Sequence, residues 1–87
     1  MRHENFSSSV AKLAKKIPRI HDIIEGAIWS ISRNPDGEGV KNPVVGVWQA
    51  TVITGSDENS PRVLIFYVFN RRLVKFLTVT PDTAALN

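Results

Sequence analysis

No cysteine occurs in this chain, which excludes a disulfide framework, a thiol nucleophile and any cysteine-based zinc or iron–sulfur site. That absence suits a reducing compartment. Histidine is scarce too: His3 and His21 are the only two, and neither stands in ligand spacing with a second strong ligand on the same element. His21 and Glu25 lie one helical turn apart but make only a pair, which reads as a surface helix pair. No metal and no cofactor are expected. The longest apolar run, residues 63–69, is far short of the roughly 20 residues of a membrane span. The polar opening MRHENFSSS lacks the apolar segment of a signal peptide, so the expectation is a soluble, cytoplasmic protein with no membrane partner. Repeats, low-complexity tracts and linkers are missing as well, and 87 residues make one domain, residues 1–87, that buries between about 60% and 70% of its unfolded surface.

Several motif-like stretches lack the residues their chemistry needs. The segment Asp36-Gly37-Glu38-Gly39 has neither the Lys-Ser/Thr of a phosphate loop nor the alternating oxygens of a calcium loop, and reads as a turn. Ser7, Ser8 and Ser9 have no nucleophile-elbow context and read as helix caps. Asn5-Phe6-Ser7 matches a glycosylation acceptor, but nothing points to secretion.

The chain is rich in apolar residues with clear periodicity. Residues 62–80 read as two strands joined at Phe69-Asn70-Arg71-Arg72. In the first, Val63, Ile65, Tyr67 and Phe69 face one way and Leu64, Phe66 and Val68 the other, so both faces are apolar and the strand is central. The second is more one-sided, since Lys75 and Thr78 interrupt Leu73, Val74, Phe76, Leu77 and Val79. Upstream, residues 1–6 are coil or a short edge strand. Val10, Leu13, Ala14 and Ile17 then share one helical face. Pro18 stops that helix and suits the first turn of a second, in which Ile20, Ile23, Ile24, Ala27, Ile28 and Ile31 recur at helical spacing. This helix ends near Arg33 or Asn34, before Pro35. Gly26 within it is either a close-packing position or a tolerated flaw. Residues 34–43 are turn chemistry, residues 44–54 a strand whose Gly46 marks a bulge or close backbone approach, residues 55–61 a polar loop, and the tail at residues 81–87 at most one helical turn. The order helix, helix, strand, strand, strand predicts a two-layer α+β domain, an N-terminal helical hairpin on a three- or four-stranded antiparallel sheet.

The formal charge is +3, from 11 Lys and Arg against 8 Asp and Glu, and its placement says more than its size. Acidic residues gather at Asp36, Glu38, Asp57 and Glu58. Basic ones form a stripe on the first helix (Lys12, Lys15, Lys16, continued by Arg19) and a group around the hairpin (Arg62, Arg71, Arg72, Lys75). Such segregation permits contact with a polyanion, against the plainer reading of solvated charges that keep a turn soluble. Arg62, just before the central strand, is a planar fork of donors on a rigid support and suits a phosphate. Trp48 and Tyr67 are either core aromatics or base-stacking platforms.

The order of residues resembles the RelE/ParE superfamily of bacterial toxins from type II toxin–antitoxin systems, over most of the chain. Phe6-Ser7-Ser8-Ser9 followed by Leu13-Ala14-Lys15-Lys16-Ile17-Pro18 is similar to the family's opening helix. Ser32-Arg33-Asn34-Pro35-Asp36-Gly37 resembles the Asn-Pro end of its second helix. Val47-Trp48-Gln49-Ala50-Thr51-Val52 and Arg62-Val63-Leu64-Ile65 resemble two successive strands. The resemblance implies a helical hairpin on a twisted sheet, an antitoxin protein as partner, and one of two targets: messenger RNA on the ribosome, cut without a metal by 2'-hydroxyl attack on the adjacent phosphate, or DNA gyrase, engaged without nucleolysis. It implies Arg62 as the catalytic or phosphate-contacting residue, and the charge pattern adds Lys12, Lys15, Lys16, Arg19, Arg71, Arg72 and Lys75 as nucleic-acid contacts. The chain departs from the family pattern where Gln49 and Thr51 stand for Lys and Arg, and where Thr80, Pro81, Asp82 and Thr83 replace a basic and aromatic or histidine segment. These departures leave an endonuclease and a non-catalytic binding protein both open.

Overall fold

The computed structural model describes residues 3–55 and 62–81. Helices α1 (Glu4–Ala14) and α2 (Ile20–Arg33), a single helical turn α3 (Pro35–Glu38), and strands β1 (Val40–Lys41), β2 (Trp48–Ile53), β3 (Arg62–Phe69) and β4 (Val74–Pro81) follow in that order. The strands form one antiparallel sheet in the order β1-β2-β3-β4, with the helices on one face. This is the expected two-layer α+β architecture. No helix among the described residues is long and apolar enough to cross a membrane.

Helix α1 begins earlier than its serines suggest. His3 is the N-cap, its Nδ1 accepting the Asn5 amide at 3.1 Å, and Glu4 in the first turn suits the positive end of the helix dipole. Ser7, Ser8 and Ser9 lie inside the helix, so neither the serine caps nor the coil-or-strand reading at residues 4–6 holds, residues 1 and 2 lying outside the described residues. The reason is Phe6, which extends the stripe of Val10 and Leu13 back by a turn and is only 1% exposed. Burial of that ring outweighs the modest helix propensity of serine. The Ser9 hydroxyl donates to the Asn5 carbonyl at 2.6 Å and stands 2.8 Å from the Thr78 hydroxyl.

Helix α2 follows its isoleucine stripe, with Ile20, Ile24 and Ile31 buried, and it ends at Arg33 before Pro35 as expected. Pro18 lies outside it, ahead of the N-cap Arg19. A Cβ added at Gly26 meets nothing within 4 Å, so this glycine is no close-packing position.

Residues 34–43 are more ordered than turn chemistry implies. The amides of Gly37 and Glu38 bond back to the Asn34 carbonyl at 3.2 and 3.0 Å to form α3, and β1 pairs with the start of β2. The Tyr67 hydroxyl donates to the Pro35 carbonyl at 2.6 Å and ties α3 to the sheet. Gly39 passes so close that a Cβ there would strike that hydroxyl and come within 2.8 Å of the Gln49 carbonyl oxygen.

The predicted strand at residues 44–54 is shortened to Trp48–Ile53. Its first residues form a turn instead, because the Asn42 carboxamide accepts the Val44 and Val45 amides at 2.9 and 3.3 Å, as asparagine readily does in turns. Gly46 has φ +72°, a left-handed conformation that answers to the turn and not to a bulge or close contact. Val44 is left 88% exposed.

Strands β3 and β4 form the expected hairpin, in which the Asn70 carboxamide accepts the amides of Arg72 and Leu73 at 2.9 and 3.0 Å. Val63, Ile65 and Tyr67 are buried beneath the helices, while Leu64, Phe66 and Val68 are half-buried on the opposite face. In β4 the buried residues are Phe76 and Val79, three apart, and a register shift opposite Phe66 and Tyr67 accounts for the break in alternation. The polar loop and tail expected at residues 55–61 and 81–87 fall mostly outside the described residues.

Candidate nucleic-acid interface on the outer face of the sheet

Alternation along β3 puts Arg62 on the face turned away from the helices, together with Leu64, Phe66 and Val68. The strand register supplies their neighbours. Arg62 is opposite Ile53; Leu64 lies between Thr51 and Thr80; Phe66 lies between Gln49 and Thr78; Val68 is opposite Lys75. Directly paired residues of adjacent strands have Cβ atoms about 4.5–5.5 Å apart, so these side chains make one continuous surface. It has an apolar spine, neutral hydrogen-bonding residues on both sides, and a cation toward each end.

Arg62 and Lys75 are separated by about 20 Å along the strand, at roughly 3.3 Å per residue. None of these register positions holds a carboxylate. The described acids lie elsewhere: Glu4 on α1, Asp22 and Glu25 on α2, Asp36 and Glu38 on α3.

The basic residues expected to act together are divided among several places. Lys12 and Lys16 line a cleft of about 330 Å³ with Thr78, Thr80 and Pro81, and so border this surface along the β4 edge. Pro81 pairs with Val63, which places Lys16 toward the Arg62 end. Arg71 and Arg72 sit at the hairpin tip, in a separate cleft of about 350 Å³ that includes Ser32 and Pro35. Lys15 and Arg19 are exposed but line neither cleft. Of the expected cations only Arg62 and Lys75 lie at register positions of the outer face; Lys12 and Lys16 border it at the β4 edge, and the tip arginines line a cleft shared with Ser32 and Pro35 on the helix side.

The stacking residues are not the ones first considered. Tyr67 is 0% exposed, and Trp48 packs on the helix side at 6.4 Å from the Tyr67 ring and 5.1 Å from Phe69. Tyr67 offers a base no free face, and half-buried Trp48 packs against the core on the helix side, away from Arg62. The Tyr67 hydroxyl titrates above its usual range, chiefly because burial disfavours phenolate and further because Glu38 and Asp36 are near. Phe66 is the aromatic on the outer face. Its signal was parity: it stands an even number of residues from Arg62, whereas Tyr67 stands an odd number away.

No family model, curated protein or solved structure matches this chain. Its chemistry is therefore read from the surface itself. The face suits a chain of phosphates and a stacked base, and it offers Gln49, Thr51 and Thr80 as hydrogen-bond partners, the Thr78 hydroxyl being engaged with Ser9 of α1. Arg62 can stabilise an anionic phosphate. A proton acceptor is a different matter, since His3 uses its Nδ1 in capping and His21 lines a cleft between the two helices with Phe6 and Glu25.

Proposed function

We propose that this chain is a toxin-like protein of the RelE/ParE type, whose outer sheet face engages single-stranded messenger RNA on the ribosome. The observation that carries this reading is a surface without a carboxylate among the described residues, with half-buried Phe66 at its middle and Arg62 and Lys75 toward its ends. Single-stranded nucleic acid is held in this way, by cations that follow the backbone and an aromatic on which a base stacks. The helix, helix, strand order and the family-like stretches named above support the same reading. Cleavage by 2'-hydroxyl attack has two requirements, charge stabilisation at phosphorus and removal of a proton. The surface is equipped for the first, through Arg62.

The second reading, a non-catalytic protein that acts by binding gyrase or another protein, is favoured by one observation: the register positions of this face hold no histidine or carboxylate. Induced expression in bacteria separates the two. Growth arrest with messenger RNA cut at ribosome-bound codons, lost in Arg62→Ala, supports the nuclease. Arrest with RNA bound but uncut supports a message-occluding toxin, and arrest with gyrase-linked DNA breaks supports the second reading. Absence of arrest overturns both. In direct binding to a short single-stranded RNA, Phe66→Ala is expected to weaken affinity by about 1–3 kcal/mol, and Arg62→Ala to lower the salt dependence by about 0.7 in log–log slope.

A further inference from the structure

A second surface lies at the free edge of β2. Strand β1 pairs only with Trp48 and Gln49, and among the described residues no strand continues that pairing along residues 50–53. A groove of about 380 Å³ runs there, with Ile23, Gly26, Ala27 and Ser30 of α2 as one wall. The other wall contains Ala50 and Val52, which face the helices, and also Thr51 and Ile53, which face away. Residues of both parities can line one groove only where the strand's edge is exposed. Edges of this kind are ordinarily blunted by lysine, proline or a bulge, and β2 has none of these.

We propose that this groove receives an extended segment of a partner protein, which pairs with residues 50–53 as an added strand. The seat is shaped for one chain. Gly26 leaves open space, with nothing within 4 Å of a Cβ built there, so alternate side chains of the added strand settle against the small residues of α2. Charge selects among occupants. Glu38 lines the groove and no cation does. Glu38 precedes Gly39, which lies against the Gln49 carbonyl, so the carboxylate marks the Ala50 end. The fitting segment is therefore apolar at alternate positions, with a lysine or arginine at that end. A second copy of this chain fits poorly, because its own β2 has no charged residue to meet Glu38 and would bring a second α2 into the same space. This inference concerns a different surface from the RNA-binding face and stands or falls separately.

The test uses the isotopically labelled full chain and two capped hexapeptides of alternating valine and threonine, one with lysine first and one with lysine last. One of them is expected to shift the amide resonances of residues 50–53, Gly26 and Ala27 saturably. Methylating alternate peptide nitrogens weakens it about tenfold by removing strand pairing. Replacing its lysine by glutamate weakens it severalfold, and the Glu38→Lys protein prefers the glutamate peptide. Gly26→Leu, whose folding is checked by circular dichroism, abolishes the shifts. The proposal is overturned by any of four results: no saturable shift up to about 1 mM peptide, shifts confined to the outer face, equal binding of the methylated peptide, or sedimentation of the protein alone as a dimer with residues 50–53 protected from exchange.

Discussion

The two faces of β3 are almost equally apolar in composition and differ in fate. Val63, Ile65 and Tyr67 are covered by α1 and α2, whereas Leu64, Phe66 and Val68 remain half-buried beneath no further layer among the described residues. The difference lies in what surrounds each face. The inner one meets Phe6, Ile20, Ile24 and Phe76 in a continuous core, and the outer one is bordered by threonines, Gln49, Arg62 and Lys75. One face holds the fold together and the other is free to act.

The most forceful way to break this contrast is to truncate neighbours on β3. Ile65→Ala is expected to lose about 2–5 kcal/mol of stability, as a buried isoleucine does. Phe66→Ala, one residue along, is expected to lose about 1 kcal/mol, its larger effect falling on the RNA binding proposed above. Urea denaturation of both variants checks this, and comparable losses would mean that the outer face is structural. Next in size is Gly39→Ala, whose new Cβ strikes the Tyr67 hydroxyl and the Gln49 carbonyl. It is expected to cost about 1–3 kcal/mol, read as a lower melting temperature.

Tyr67→Phe sharpens the comparison at the inner rim. It removes the hydroxyl's bond to Pro35 and is expected to cost about 1 kcal/mol. The pH dependence has a definite sign. Tyr67 titrates above 10.0 in the folded chain, so the folded state holds its proton more tightly than the unfolded state. That contribution is complete below pH 10 and is lost as pH rises through the folded-state value. The wild-type chain should therefore destabilise more steeply above pH 10 than Tyr67→Phe does. The smallest effect is expected away from both faces, at exposed Gly26, where alanine should add about 0.5–1 kcal/mol by helix propensity.

The parts of the fold that were legible in the sequence are those whose pattern repeats within one element. The isoleucine stripe located the body of α2 and Pro35 its end near Arg33, and the alternation of β3 with the turn at Asn70 located the hairpin. Three features escaped for a common reason. Phe6 joins α1 only because Phe76 lies beneath it, with ring centroids 5.6 Å apart. Strand β1 exists because β2 offers it an edge, and residues 44–46 leave the strand because Asn42 accepts their amides. The candidate site was half legible. Arg62 and the lysines could be named from charge, and the core reading of Trp48 and Tyr67 holds, but the parity that makes Phe66 the outward aromatic of β3 went unused.

Periodicity along the chain was thus enough to specify two amphipathic helices, a doubly apolar central strand and the positions of the cations. Which of that strand's two greasy sides would be covered, and which cations would share a surface, was settled only by packing. Local spacing records which residues point the same way, but both directions are equivalent until segments distant in sequence, here α1 and α2, bury one of them and leave the other exposed.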